Sequence, residues 1–171
     1  MTMQYDVKTS HLSGTGLMVS GRVRLKNLIY LGTGTAGGVD LFDTTTAPVT
    51  ATYARSGYTV TVTSTAHGLV TGQNIGITFS AASSVSATAG NYVVTKLTND
   101  TFTITDLNTG TIAGGTACIF STGKWLAGYN TSTGVQPFQA IIPGEGVLAQ
   151  TGIYAVVTNI CLLYTSPSPR D

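Results

Sequence analysis

The sequence predicts an all-β protein: a discontinuous antiparallel β-sandwich with a small β-barrel inserted into it. Three observations carry that expectation. Charged residues make up only 9% of the 171-residue chain, while Thr, Val, Ile, Tyr and Gly, a strand-and-turn vocabulary, recur throughout. Apolar residues alternate with polar ones at period two in many short runs. Clusters of Gly, Asn, Asp and Pro punctuate those runs at close spacing.

The first outer piece of the sandwich spans residues 1–49. Its best strand runs from Arg22 to Leu31, with Val23, Leu25, Ile29 and Leu31 on one face and Arg22, Arg24 and Lys26 on the other. Gly32 to Gly38 reads as a loose loop, and Val39 to Asp43 as the second strand of a hairpin. The insert spans residues 50–120. Tyr58, Val60 and Val62 alternate with threonines, and Ile75, Ile77 and Phe79 alternate with Gly76 and Thr78. Tyr92 to Leu97 and Thr101 to Thr105 flank an Asn99-Asp100 turn; Asp106 to Gly110 reads as a further turn before Ala117 to Phe120. Five short strands at this spacing suggest a small barrel. Between them, Ser80 to Ala89 is a low-complexity run expected to be an exposed, mobile loop. The second outer piece spans residues 121–160. Trp125, Ala127 and Tyr129 alternate, as do Phe138, Ala140 and Ile142. Pro143-Gly144-Glu145-Gly146 signals a turn, and Gly152 to Ile160 is a strand.

Residues 161–171, Cys-Leu-Leu-Tyr-Thr-Ser-Pro-Ser-Pro-Arg-Asp, resemble the translation of a transposase adapter from short-read DNA libraries. They are therefore left out of the fold reasoning as an artefact, with the natural reading frame expected to be cut off near Ile160. In the complete gene one further strand is expected after Asn159, since the outer sheet otherwise keeps an open edge.

Composition excludes several classes. A formal net charge of +1 offers no electrostatic footprint for nucleic acid. No apolar run reaches the roughly 18 residues of a membrane helix, and the N-terminus lacks the pattern of a secretion signal. With Cys161 in the tail, Cys118 has no intrachain disulfide partner and reads as a small core residue.

Two resemblances refine this picture. Thr65-Ala66-His67-Gly68-Leu69, Thr71-Gly72-Gln73, Gly90-Asn91-Tyr92 and Asn99-Asp100-Thr101-Phe102-Thr103 resemble a module labelled after the first catalytic cysteine half-domain of ubiquitin-activating enzymes. In its namesake it is a small β-barrel. The likeness implies that fold and not ubiquitin chemistry, because nothing else of such an enzyme is present. The outer pieces are similar to small virion proteins of marine tailed phages. The residues concerned are Ser20 to Lys26, Ile29-Tyr30, Gly34 to Gly37, Leu41 to Asp43, Ile142 to Leu148 and Gly152 to Asn159.

No catalytic, cofactor-binding or metal-ligating set emerges. His67 lacks a second ligand at metal spacing and reads as a turn residue. His11 lacks a triad and a nucleophile elbow. Asp106 to Gly110 begins like a calcium loop but no late acidic ligand follows. The glycines of Gly32 to Gly38 precede a strand, not the helix that a phosphate loop needs. Arg22, Arg24 and Lys26 form a candidate docking face; the plainer reading pairs them with Asp40 or Asp43 across the hairpin. Trp125, Tyr129, Phe138 and Ile142 read as core. The expected function is a non-enzymatic structural component of a tailed-phage virion, on the head or tail. Such a component packs with other virion proteins, forms a homo-oligomer and projects the insert outward. The alternative is an adhesin that binds a host-surface glycan through Tyr53, Tyr58 and Tyr92 of the insert.

Overall fold

The computed structural model of the chain describes residues 7–80, 85–131 and 137–167. Residues 81–84 of the Ser80–Ala89 run and 168–171 of the tail lie outside the described residues. The described residues are all-β. In chain order the strands are β1 (Val7–Leu12), β2 (Gly16–Ser20), β3 (Val23–Leu25), β4 (Asn27–Gly32), β5 (Gly37–Asp43), β6 (Val49–Thr63), β7 (Asn74–Phe79), β8 (Gly90–Val93), β9 (Thr95–Lys96) and β10 (Thr101–Ser121). They continue with β11 (Lys124–Thr131), β12 (Pro137–Ile141), β13 (Val147–Ala149), β14 (Gly152–Thr158) and β15 (Ile160–Pro167). The chain divides into two compact units. One is built from the chain up to Ala47 and from Leu126 onward; the other is Pro48–Trp125.

The first unit holds two four-stranded sheets, β1-β15-β4-β12 and β11-β5-β14-β2, and a small ladder of β13 on β3. Alternation places Leu28 and Tyr30 of β4, Val39 and Leu41 of β5, Ile153 and Ala155 of β14, and Ile160 and Leu162 of β15 in one core. Two sequence expectations change here. The strand expected over Arg22 to Leu31 is two strands. β3 pairs with β13, whereas β4 pairs with β12 and β15. The break at Lys26, whose carbonyl accepts the Ile142 N–H at 2.9 Å, shifts the inward parity by one residue. Leu28 and Tyr30 therefore turn inward; Ile29 is half-buried and Leu31 is 43% exposed. The expected hairpin is also absent: β4 and β5 lie in different sheets. The glycine-rich segment between them crosses from one sheet to the other, and a Cβ at Gly37 would stand 2.1 Å from the Thr158 carbonyl oxygen.

Residues 160–167 form β15. Asn159 (φ 52°) turns the corner between β14 and β15 in the left-handed conformation that Asn tolerates. Its carbonyl accepts from the Thr33 N–H and hydroxyl, and its side-chain amide donates to Ala36 O at 3.0 Å. β15 then pairs antiparallel with β1 on one side and β4 on the other, with Leu162 only 1% exposed. Ile160 and Leu162 alternate correctly for an inward face, which is all that strand pairing demands.

The second unit is organised by the long β6–β10 ribbon. Two irregularities bend it: residues 106–109 of β10 lie opposite Tyr58, and residues 113–115 opposite Ala54. The segment Asp106 to Gly110, expected as a turn, is thus a bulge within one continuous strand. The C-terminal part of β10 also pairs with β7, which pairs with β8; Phe102 and Thr103 pair with β9. Val60, Val62, Ile75, Ile77, Phe102, Ile104, Cys118 and Phe120 fill the core. The expected barrel is not closed. Among the described residues β8 pairs with β7 and β9 with β10, and no ladder joins β8 to β10.

Candidate functional site

The most heavily bonded side chains of the second unit are Arg55 and Asp106, both with fully buried side chains and 2.9 Å apart between Nη2 and Oδ2. Arg55 enters from β6 and Asp106 from the first residue of the β10 bulge. Arg55 Nε donates to Gly57 O at 3.1 Å, and Nη1 to Val85 O and Ser86 O at 2.7 and 2.9 Å. Nη2 donates to Asn108 O as well as to Asp106. All the donors of a guanidinium are therefore engaged. Asp106 also accepts from Leu107 N (2.8 Å) and Thr88 N (3.2 Å). The Tyr92 hydroxyl lies 3.1 Å from Asp106 Oδ1 and 2.7 Å from Thr88 O. Burial, reinforced by the Asp106 charge, raises the Tyr92 pKa above its ordinary 10.0, so the phenol stays protonated as a donor. The ion pair clamps the bulge and the Val85–Thr88 segment onto the ribbon. Its groups face one another, not solvent, so the arrangement braces structure.

Beside this brace, between β8 and β10, lies a groove of about 580 Å³, lined by Thr88, Ala89, Gly90, Asn91, Tyr92, Val93, Thr95, Thr105 and Leu107. No lining residue is charged. Val93 (57% exposed) and Leu107 (86% exposed) stand at its edges. Val94 N donates to Gln73 O and Val94 O accepts from Gly72 N, both at 2.9 Å, so the even-numbered backbone groups of this strand face β7. By alternation, those of Asn91 and Val93 face the groove.

The sequence-derived candidates fall as follows. Arg22 is exposed. Arg24 Nη1 and Lys26 Nζ donate to Glu145 O (3.3 Å) and Gly144 O (2.8 Å), with the Glu145 carboxylate 4.0 Å from Arg24. Two members of the proposed docking face therefore hold the 143–146 turn. Asp43, offered as their cross-hairpin partner, instead accepts from the N–H groups of Gln150, Thr151 and Gly152. The three tyrosines form no shared platform. Tyr53 is 1% exposed, packed edge-on against Phe79, because its parity on β6 points inward; its hydroxyl has no hydrogen-bond partner among the described residues. Tyr92 is half-buried and committed to the brace. Tyr58, 56% exposed opposite the bulge, is the surface aromatic of the three.

His67 is a turn residue: Nδ1 accepts from Leu69 N at 3.0 Å, Nε2 lies 3.2 Å from Thr98 O, and its ring meets Phe102 edge-on at 5.2 Å. His11 is exposed and lines a small hollow with Ile29, Leu31 and Cys161. No group of three or more His, Cys, Asp or Glu able to hold a metal occurs among the described residues. The expected core aromatics of the second outer piece lie nearer the surface. Trp125 and Tyr129 are half-buried, and Phe138 is 51% exposed on an edge strand, stacked 4.9 Å from Tyr30.

Sequence reasoning missed Arg55, the role of Asp106 and the groove. A signal existed: Arg55 is the single arginine between Thr50 and Phe120, a stretch whose other charged residues are Lys96, Asp100 and Asp106. No protein-family model matches this chain, and no curated protein matches it.

Proposed function

We propose that this protein is a non-enzymatic structural component of a tailed-phage virion, acting by subunit packing with its neighbours. The observation that carries this reading is the use made of its buried ionisable groups. Arg55, Asp106 and Asp43 are consumed by internal hydrogen bonds, which stiffen a body of sheets. The open edges of both sheet systems add to it, since strand edges find partners in assemblies. A second reading, a glycan-binding adhesin, is supported by the uncharged groove, which Tyr92 lines, and not by a shared platform of the three tyrosines.

Quantitative mass spectrometry of purified particles from a phage carrying the gene tests the proposal. A copy number comparable to the major capsid protein assigns a head decoration; a few copies per particle assign the tail. Absence from the particle discards the proposal.

A further inference from the structure

We infer that the groove between β8 and β10 binds an uncharged carbohydrate. The inference gives a ligand class to the adhesin reading and rests on that reading, not on the particle-subunit one. The size of the groove, about 580 Å³, falls within the roughly 300–1,000 Å³ of small-molecule sites. Its lining bears no charge, so nothing there would compensate the desolvation of a phosphate, sulfate or carboxylate. Thr88, Thr95 and Thr105 bring hydroxyls that both donate and accept, as sugar hydroxyls do. The outward backbone groups of Asn91 and Val93 add an amide donor and a carbonyl acceptor on the same bank. Val93, Leu107 and the Tyr92 ring supply the apolar surface against which the C–H face of a pyranose packs.

Preorganisation is the second support. The Tyr92 ring folds back over Gly90, where an added Cβ would stand 3.4 Å from the ring, and its hydroxyl is held by Asp106 and Thr88. The bulge that carries Leu107 is fixed by the Leu107 N–H on Asp106 and by the Arg55 clamp on Asn108. Both banks are therefore set before a ligand arrives, which lowers the ordering cost of binding. The 86% exposure of Leu107 has no role in the unit's own core.

The test presents the purified full chain to an array of neutral gluco-, galacto-, manno- and N-acetylglucosamine oligosaccharides, with sialylated and sulfated members as charged comparators. Retention on at least one neutral member is expected. Val93→Asp and Leu107→Ala should each weaken it by about 10-fold, the first by setting a desolvated charge against an uncharged ligand and the second by removing apolar contact surface. Ile141→Ala, an exposed apolar residue of the other unit, should leave it unchanged. Circular dichroism melts of the exposed-site variants control for folding. In a titration with the retained sugar, the methyl resonances of Thr88, Val93, Thr105 and Leu107 should shift. Retention by charged members only, or by none, overturns the inference. Retention that the groove variants leave intact also overturns it, while the adhesin reading survives with a different site.

Discussion

Arg55 and Asp106 show how one ion pair can hold a small unit together. A buried pair is stabilising only when its remaining donors and acceptors are satisfied, and here each guanidinium N–H and both carboxylate oxygens have partners. Arg55→Met would strand Asp106 as an uncompensated buried charge, so a loss of about 3–5 kcal/mol is expected in denaturant unfolding. Arg55→Lys should recover little of it, because an ammonium cannot reproduce the planar fork that reaches carbonyls on several segments. A stability near wild type for Arg55→Met would sink the clamp.

Cys118 makes a second residue-level prediction. At 1% exposure, burial pushes its thiol from 9.0 up to about 12. The unfolded chain then releases this proton near pH 9 while the folded chain keeps it. Stability is therefore full below pH 9 and declines as pH rises toward 12; the raised Tyr92 phenol acts in the same direction. Unfolding midpoints measured across that range should fall, and Cys118→Ala should flatten part of the slope. An unchanged slope would remove Cys118 from the account.

At the level of elements, alternation foretold the strands better than their partners. Period-two patterns place Val60 and Val62 in a core correctly, yet Tyr58, of the same parity, is exposed because the bulge at 106–109 interrupts the ladder. The same happens at Lys26, where a break inverts the inward face of β4. Such one-residue shifts follow from pairing with distant strands, and the local pattern carries no trace of them. β15 is the element with most at stake, since it joins β1 to β4 and buries Ile160 and Leu162. Deleting Cys161–Asp171 should lower the melting temperature of the outer unit and increase light scattering on heating, because β4 and β1 would each gain an open edge. Equal melting and equal solubility of the two forms would show that β15 is dispensable.

At the scale of the whole molecule, the two units have separate cores with no residue in common. Differential scanning calorimetry should therefore resolve two transitions. Arg55→Met should lower that of Pro48–Trp125, and deletion of Cys161–Asp171 the other. A single transition displaced by both changes would mean that the units melt as one.

By itself the sequence determined the all-β class, the turn role of His67 and the inward alternation of most strands. Those properties depend on composition and on neighbours a few residues apart, which any reader of the chain can inspect. Tertiary structure decided the rest: which strands share a sheet, where β10 bulges, that Arg55 is buried, and that a groove lies between β8 and β10. Each of these depends on pairing between segments far apart in the chain, such as Gly37 against Thr158 or Arg55 against Asp106. A one-residue slip at such a contact reverses the faces of a strand without changing its local pattern.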